Sequence, residues 1–168
     1  MTLSWDLFII LFFVVMAVYG FLLGRSRVFN ILLNSYVGYV IAFELGDFAF
    51  DYLTQAAQIS HSVNITLFGA KIFVFALVVF VLTLNSELLG IRDDGRTSKP
   101  WIVLYGILAA GLILSSIFGF MGNAEQANLF SHSVLAARVY DLRLAWLIAP
   151  ILAVIIGTAI AWFRKKKW

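Results

Sequence analysis

The chain has 168 residues, is 62% hydrophobic with a mean hydropathy of +0.97, and carries a net charge of +3 and no cysteine. A soluble domain of this size leaves too much surface outside its core to hide so many apolar side chains, so lipid is the solvent for much of it. The missing thiols exclude disulfides, thiol catalysis and cysteine metal centres, and a basic excess in so apolar a chain reports orientation in a membrane rather than nucleic-acid binding.

The opening MTLSWD has no basic residue before the first apolar run, and no small-residue cleavage site follows it. The run is therefore expected to stay as a helix rather than leave as a signal peptide. Crossing about 30 Å of hydrocarbon takes roughly 20 mostly apolar residues. Five stretches qualify: 7–23, 28–46, 67–84, 101–121 and 144–163.

The second span is the most polar. Asn30 and Asn34 are four residues apart and are expected to hydrogen-bond to a neighbouring helix, a contact worth about 0.6–2 kcal/mol. Conduction is the alternative use of the same pair. Small residues recur at every fourth position on three spans: Gly38, Ala42 and Gly46; Gly111, Ser115 and Gly119; Ala153, Gly157 and Ala161. Such stripes let helices approach closely. Glu44 near the end of the second span and Lys71 near the start of the third fall at similar depth, and are expected to pair or to snorkel to the interface. Positions 44, 47 and 51 share a helical face, so Glu44, Asp47 and Asp51 offer a sharper alternative, a three-carboxylate cation site.

The connections 47–66 and 122–143 are too long for turns and too apolar for disordered linkers. Each is expected to form a short amphipathic helix at the membrane surface. The connection 87–99 contains DDGR, a turn signal. Pro100 opens the fourth span, where a missing N–H costs nothing. Pro150 lies inside the fifth and is expected to kink it.

Arg25, Arg27, Arg92, Arg96, Lys99, Arg164, Lys165, Lys166 and Lys167 fall on one side of this arrangement, against Lys71, Arg138 and Arg143 on the other. The bias places the N-terminus outside and the C-terminus in the cytoplasm. Arg164, Lys165, Lys166 and Lys167 are also a contact for anionic lipid.

Both histidines, His61 and His132, sit in the tetrapeptide SHSV, and TQAAQISHSV aligns with EQANLFSHSV. The spacing is that of a parallel two-helix repeat. The two imidazoles are open to three readings. They are ligands of a metal or haem, although a tight zinc site wants three or four ligands. They are a pH-sensitive pair. Or Ser60 and Ser131 are local helix caps or turn residues and the histidines interfacial, which is the plainest reading. No G-x-S-x-G, H-E-x-x-H, P-loop or G-x-G-x-x-G occurs, and neither an enzyme nor a cofactor is expected.

Asp6 ahead of the first span, YGFLLGR at 19–25 and NILLNSYVGYVIA at 30–42 resemble the CvpA family (colicin V production proteins) of bacterial inner membranes. YGILAAGLILSSIFGF at 105–120 is similar to that family's glycine-spaced fourth helix. The family typically has four spans, and a basic residue where Tyr19 stands here. The resemblance implies a small inner-membrane protein linked to export or envelope functions. The expected fold is an all-α, polytopic transmembrane helix bundle forming a single domain. The expected role is a non-enzymatic scaffold or accessory subunit, packing against itself or other membrane proteins. A small transporter or channel is the alternative, and a haem or metal carrier using His61 and His132 a third.

Overall fold

The structure, a computed structural model, describes residues 4–60, 66–85 and 99–165, with the backbone alone at 23, 25–26, 56–60, 99–100 and 157–165. Among them are seven helices and no strand: α1 (Trp5–Leu23), α2 (Arg25–Ser60), α3 (Leu67–Leu84), α4 (Lys99–Phe120), α5 (Asn123–His132), α6 (Val134–Asp141) and α7 (Arg143–Lys165). The chain is an all-α transmembrane bundle. Helices α1 to α4 are each long and apolar enough to cross a membrane, and α6 and α7, bent by 58°, make a fifth span when taken together.

Local chemistry sets the first helix ends. The Ser4 hydroxyl accepts from the Leu7 N–H at 3.2 Å and starts α1, supplying one of the acceptors that first-turn amides lack. Gly24 ends it with φ of 84°, a conformation side chains rarely adopt, and its N–H returns to the Gly20 carbonyl at 3.0 Å. Helix α2 begins on the next residue.

Helix α4 is the centre of the bundle, packed against α1, α2, α6 and α7. It meets α1 backbone to backbone. A Cβ on Gly106 would lie 2.7 Å from the Met16 carbonyl oxygen, and one on Gly20 would lie 3.2 Å from that of Ile102. Neither glycine belongs to the small-residue stripes read from the sequence.

The stripe on α2 faces α3. Gly38 lies under Phe75 and Val79, Ala42 is fully buried, and Gly46 lies against the Lys71 stem. On α4, Gly111 seats the Trp146 indole of α7, and Ser115 is buried, its hydroxyl donating to the Leu112 carbonyl at 3.0 Å. The stripe breaks at Gly119, which opens on empty space. On α7, Ala153 is buried and its carbonyl accepts from the Tyr105 hydroxyl at 3.3 Å. The surroundings of Gly157 and Ala161 lie outside the described residues.

Helix α2 corrects the expected boundary at Gly46. It runs on to Ser60 as one helix of 36 residues, about 54 Å long. The separate amphipathic helix expected after Asp47 is its continuation. No proline interrupts it, and Gly46 is spent on a close approach to α3 rather than on a cap. Helix α4 ends at Phe120, which stacks on Tyr39 at 5.8 Å and meets Phe75 edge-on at 5.9 Å. From that level α2 continues to Ser60, and α3 starts eight residues before Phe75. The α2–α3 pair thus stands about 12 Å proud of α4.

The second expected surface helix is two helices, α5 and α6. The Gln126 amide donates to the Phe118 and Met121 carbonyls at 2.9 and 3.1 Å, closing the end of α4, and the Glu125 carboxylate accepts from the Gly122 N–H at 3.2 Å, opening α5. Helix α7 runs unbroken through Pro150, and a bend of 58° falls at Leu142, between α6 and α7. Pro150 has no N–H for the Trp146 carbonyl. One residue on, the Leu147 carbonyl accepts from the Tyr36 hydroxyl of α2. Tyr36 and Tyr105 therefore hold the proline segment of α7 by its carbonyls.

Candidate functional site

The polar groups inside the bundle mostly bind the bundle itself. The Asn34 carboxamide lies 3.2 Å from the Thr83 hydroxyl and bridges α2 to α3. With its amide turned to satisfy both ends, the nitrogen donates to the Asn30 carbonyl at 3.2 Å and the oxygen accepts from the Thr83 N–H at 3.3 Å. Ser35 and Ser116 donate to carbonyls of their own helices, Ile31 and Leu112, each at 2.7 Å. Asn30 differs: its Oδ1 is buried without a partner among the described residues. An orphan acceptor of this kind costs about 1–3 kcal/mol.

Lys71 finds Asp47 rather than Glu44. Its ammonium lies 3.1 Å from the Asp47 carboxylate and 5.9 Å from the centre of the Phe43 ring. The reason is register. Gly46 receives the lysine stem, so the ammonium emerges beside the next residue along α2. The Lys71 side chain is 15% exposed and that of Asp47 is 70% exposed. A pair this wet contributes less than about 1 kcal/mol. Asp47→Asn is expected to lower the unfolding midpoint slightly and Glu44→Gln to leave it unchanged. Equal shifts from the two, measured in the same micelles, would contradict this pairing.

The three carboxylates do not form a site. Glu44, Asp47 and Asp51 are exposed on one face, spread over about 10 Å of helix, and among the described residues no second element gathers them. Among the described residues no three His, Asp or Glu side chains are grouped to hold a metal ion. His61 lies outside the described residues.

The second SHSV copy spans the junction of α5 and α6. The Ser131 hydroxyl donates to the Asn128 carbonyl at 2.7 Å, and His132 Nδ1 lies 2.8 Å from the same oxygen. A carbonyl only accepts, so Nδ1 carries the proton. The His132 side chain is exposed. The cap is Ser133 rather than Ser131: its hydroxyl oxygen accepts from the Ala136 N–H at 3.0 Å and its proton goes to Asp6. The Asp6 carboxylate also accepts from the Leu135 N–H at 3.2 Å. An anion on the first turn of α1 thus sits at the positive end of α6. Ser133 before VLAARV is a readable start signal. Its partner, 127 residues away, leaves no local trace.

Beside this junction a cavity of about 340 Å³ opens between α1, α6 and α7. Its walls include Ile10 and Val14 of α1 and Leu135 and Leu142 beyond Ser133, and Arg138 is its one charged lining residue.

No family model, curated protein or solved structure matches the chain. What it does has to be read from its own groups. Two surfaces stand out: the part of α2–α3 that passes the end of α4, and the groove at the α6–α7 elbow.

Proposed function

We propose that this chain is a non-enzymatic scaffold or accessory subunit of the bacterial cytoplasmic membrane, serving an envelope or export-related assembly, with its N-terminus outside. The observation that carries this reading is the surface of α2 beyond α4. There α2 packs on α3, while Phe48 and Tyr52 are 72% and 68% exposed. Exposed Glu44, Asp47 and Asp51 share the stretch. Hydrocarbon does not accept three carboxylates, and water does not favour two bare aromatic rings. Large aromatics among polar groups are the composition of a protein-docking surface. The resemblance of residues 1–45 to the CvpA family points to the same class of protein.

The test is a photo-crosslinking residue at Phe48 or Tyr52 in intact membranes. A discrete protein adduct is expected from both positions and none from Leu22, which is exposed on α1. Lipid adducts alone at all three positions would defeat the reading. The transporter alternative has one observation in its favour, the unpartnered Asn30 Oδ1. Ion flux in reconstituted vesicles that is lost in a stably folded Asn30→Ala variant would move the weight to it.

A further inference from the structure

The groove beside the α6–α7 elbow joins two features, an apolar trough and a cation whose side chain has no counter-ion among the described residues. We propose that it holds one acyl chain of an anionic phospholipid, with the lipid phosphate on Arg138. The Arg138 guanidinium makes no hydrogen bond or ion pair among the described residues. Asp141, three residues along α6, makes no ion pair with it, and the Asp6 carboxylate is committed to Ser133 and Leu135. The other arginine of the elbow, Arg143, is engaged: it donates to the Tyr140 hydroxyl at 2.6 Å and its guanidinium lies 4.9 Å from that ring's centre. Arg138 alone is left for an outside anion.

The elbow lies alongside α1 at Ile10 and Val14, within the first membrane span. A guanidinium there is costly without a counter-ion, and its planar fork matches a phosphate bidentately. The cavity, about 340 Å³, is at the small end of the roughly 300–1,000 Å³ range of ligand sites, fit for a segment of one chain rather than a whole lipid. An apolar trough with one cation at its edge complements an amphiphile with an anionic head. A zwitterionic lipid would bring its own cation to the same arginine.

Native mass spectrometry of the purified chain in detergent tests this. Phosphatidylglycerol or phosphatidylcholine with the same acyl chains is added in turn. Arg164, Lys165, Lys166 and Lys167 are changed to glutamine throughout, because a basic tail attracts anionic lipid on its own. The chain is expected to take up a first phosphatidylglycerol in preference to phosphatidylcholine. Arg138→Gln should cut that preference about fivefold, the effect of one basic residue beside an anionic lipid. Arg143→Gln should leave it unchanged and Arg138→Lys should keep most of it. Val14→Trp, on the open face of α1, should fill the trough and reduce uptake of both lipids. Absence of a preference, the same preference in Arg138→Gln as in Arg143→Gln, or full uptake in Val14→Trp would each overturn the proposal. So would equal retention of detergent or free fatty acid in place of the phospholipid.

Discussion

Replacing Gly106 by valine is expected to cost about 3 kcal/mol of unfolding free energy, the upper range for overpacking a filled interior. Even the first carbon of a side chain would stand 2.7 Å from the Met16 carbonyl oxygen and 3.3 Å from the Ala17 Cα. These are backbone atoms, so no rotamer change relieves the clash. Helix α1 must move off α4 as a body, and the cluster of Ile9, Leu114 and Phe118 further along the same crossing moves with it. Two companion variants calibrate the result. Gly20→Ala meets the Ile102 oxygen and the Val28 side chain at 3.2 Å and should cost less. Gly119→Ala meets nothing within 4 Å and should be neutral or gain up to about 1 kcal/mol from the stiffer helix. Denaturant titrations in mixed micelles give the order. A Gly106 variant as stable as the Gly119 variant would mean that α1 and α4 do not cross through these glycines.

The second large effect is expected at Asp6. Asp6→Ala removes the acceptor for the Ser133 hydroxyl and for the Leu135 N–H together. Hydrogen bonds to a charged group contribute about 1.5–3 kcal/mol, and the charge also opposes the positive end of α6. A loss of about 2 kcal/mol follows. Asp6→Asn keeps an acceptor without the charge and should fall between. Hydrogen exchange localises the effect: the Leu135 amide should lose protection more than any amide of α3. Ser133→Ala added to Asp6→Ala should cost less than the sum of the two single changes, since both act on one junction. Strict additivity, or unchanged Leu135 protection, would show that the carboxylate does not close α6.

Most of the helices were legible because lipid imposes length and caps impose ends. Helix α3 occupies 67–84 as expected, with the Thr66 hydroxyl accepting from the Gly69 N–H at 3.1 Å. Helices α1, α4 and α7 differ from the expected spans by at most two residues at either end. Helix α2 was not legible in the same way. Falling hydropathy after Gly46 looks like the end of a helix, but hydropathy reports where hydrocarbon stops. The backbone stops only for a breaker, and 47–60 contains no proline or glycine after Gly46.

The contacts were harder still. A stripe repeating every four residues announces itself on one helix, as Gly38, Ala42 and Gly46 do. Gly20 is the one glycine of α1 and Gly106 lies outside the stripe of α4, and they become a pair only when α1 crosses α4. Each follows a tyrosine, Tyr19 and Tyr105, which is a hint visible only afterwards. Lys71 was assigned a partner by depth, whereas the partner is set by which residue follows the glycine that seats its stem. The Asp6–Ser133 contact needed the whole topology first.

The offset of α2–α3 past α4 has a consequence for the bilayer itself. The apolar belt of this bundle is not level: around α1 and α4 it sits at one height, and around α3 it is shifted by about two helical turns. Each ångström of mismatch costs a fraction of a kcal/mol in tilt or in stretched and compressed lipid. The shell of lipids around the bundle must therefore ramp from one side to the other, and that elastic strain is spread over the neighbouring membrane. Two bundles whose ramps meet share the distortion and lower its total.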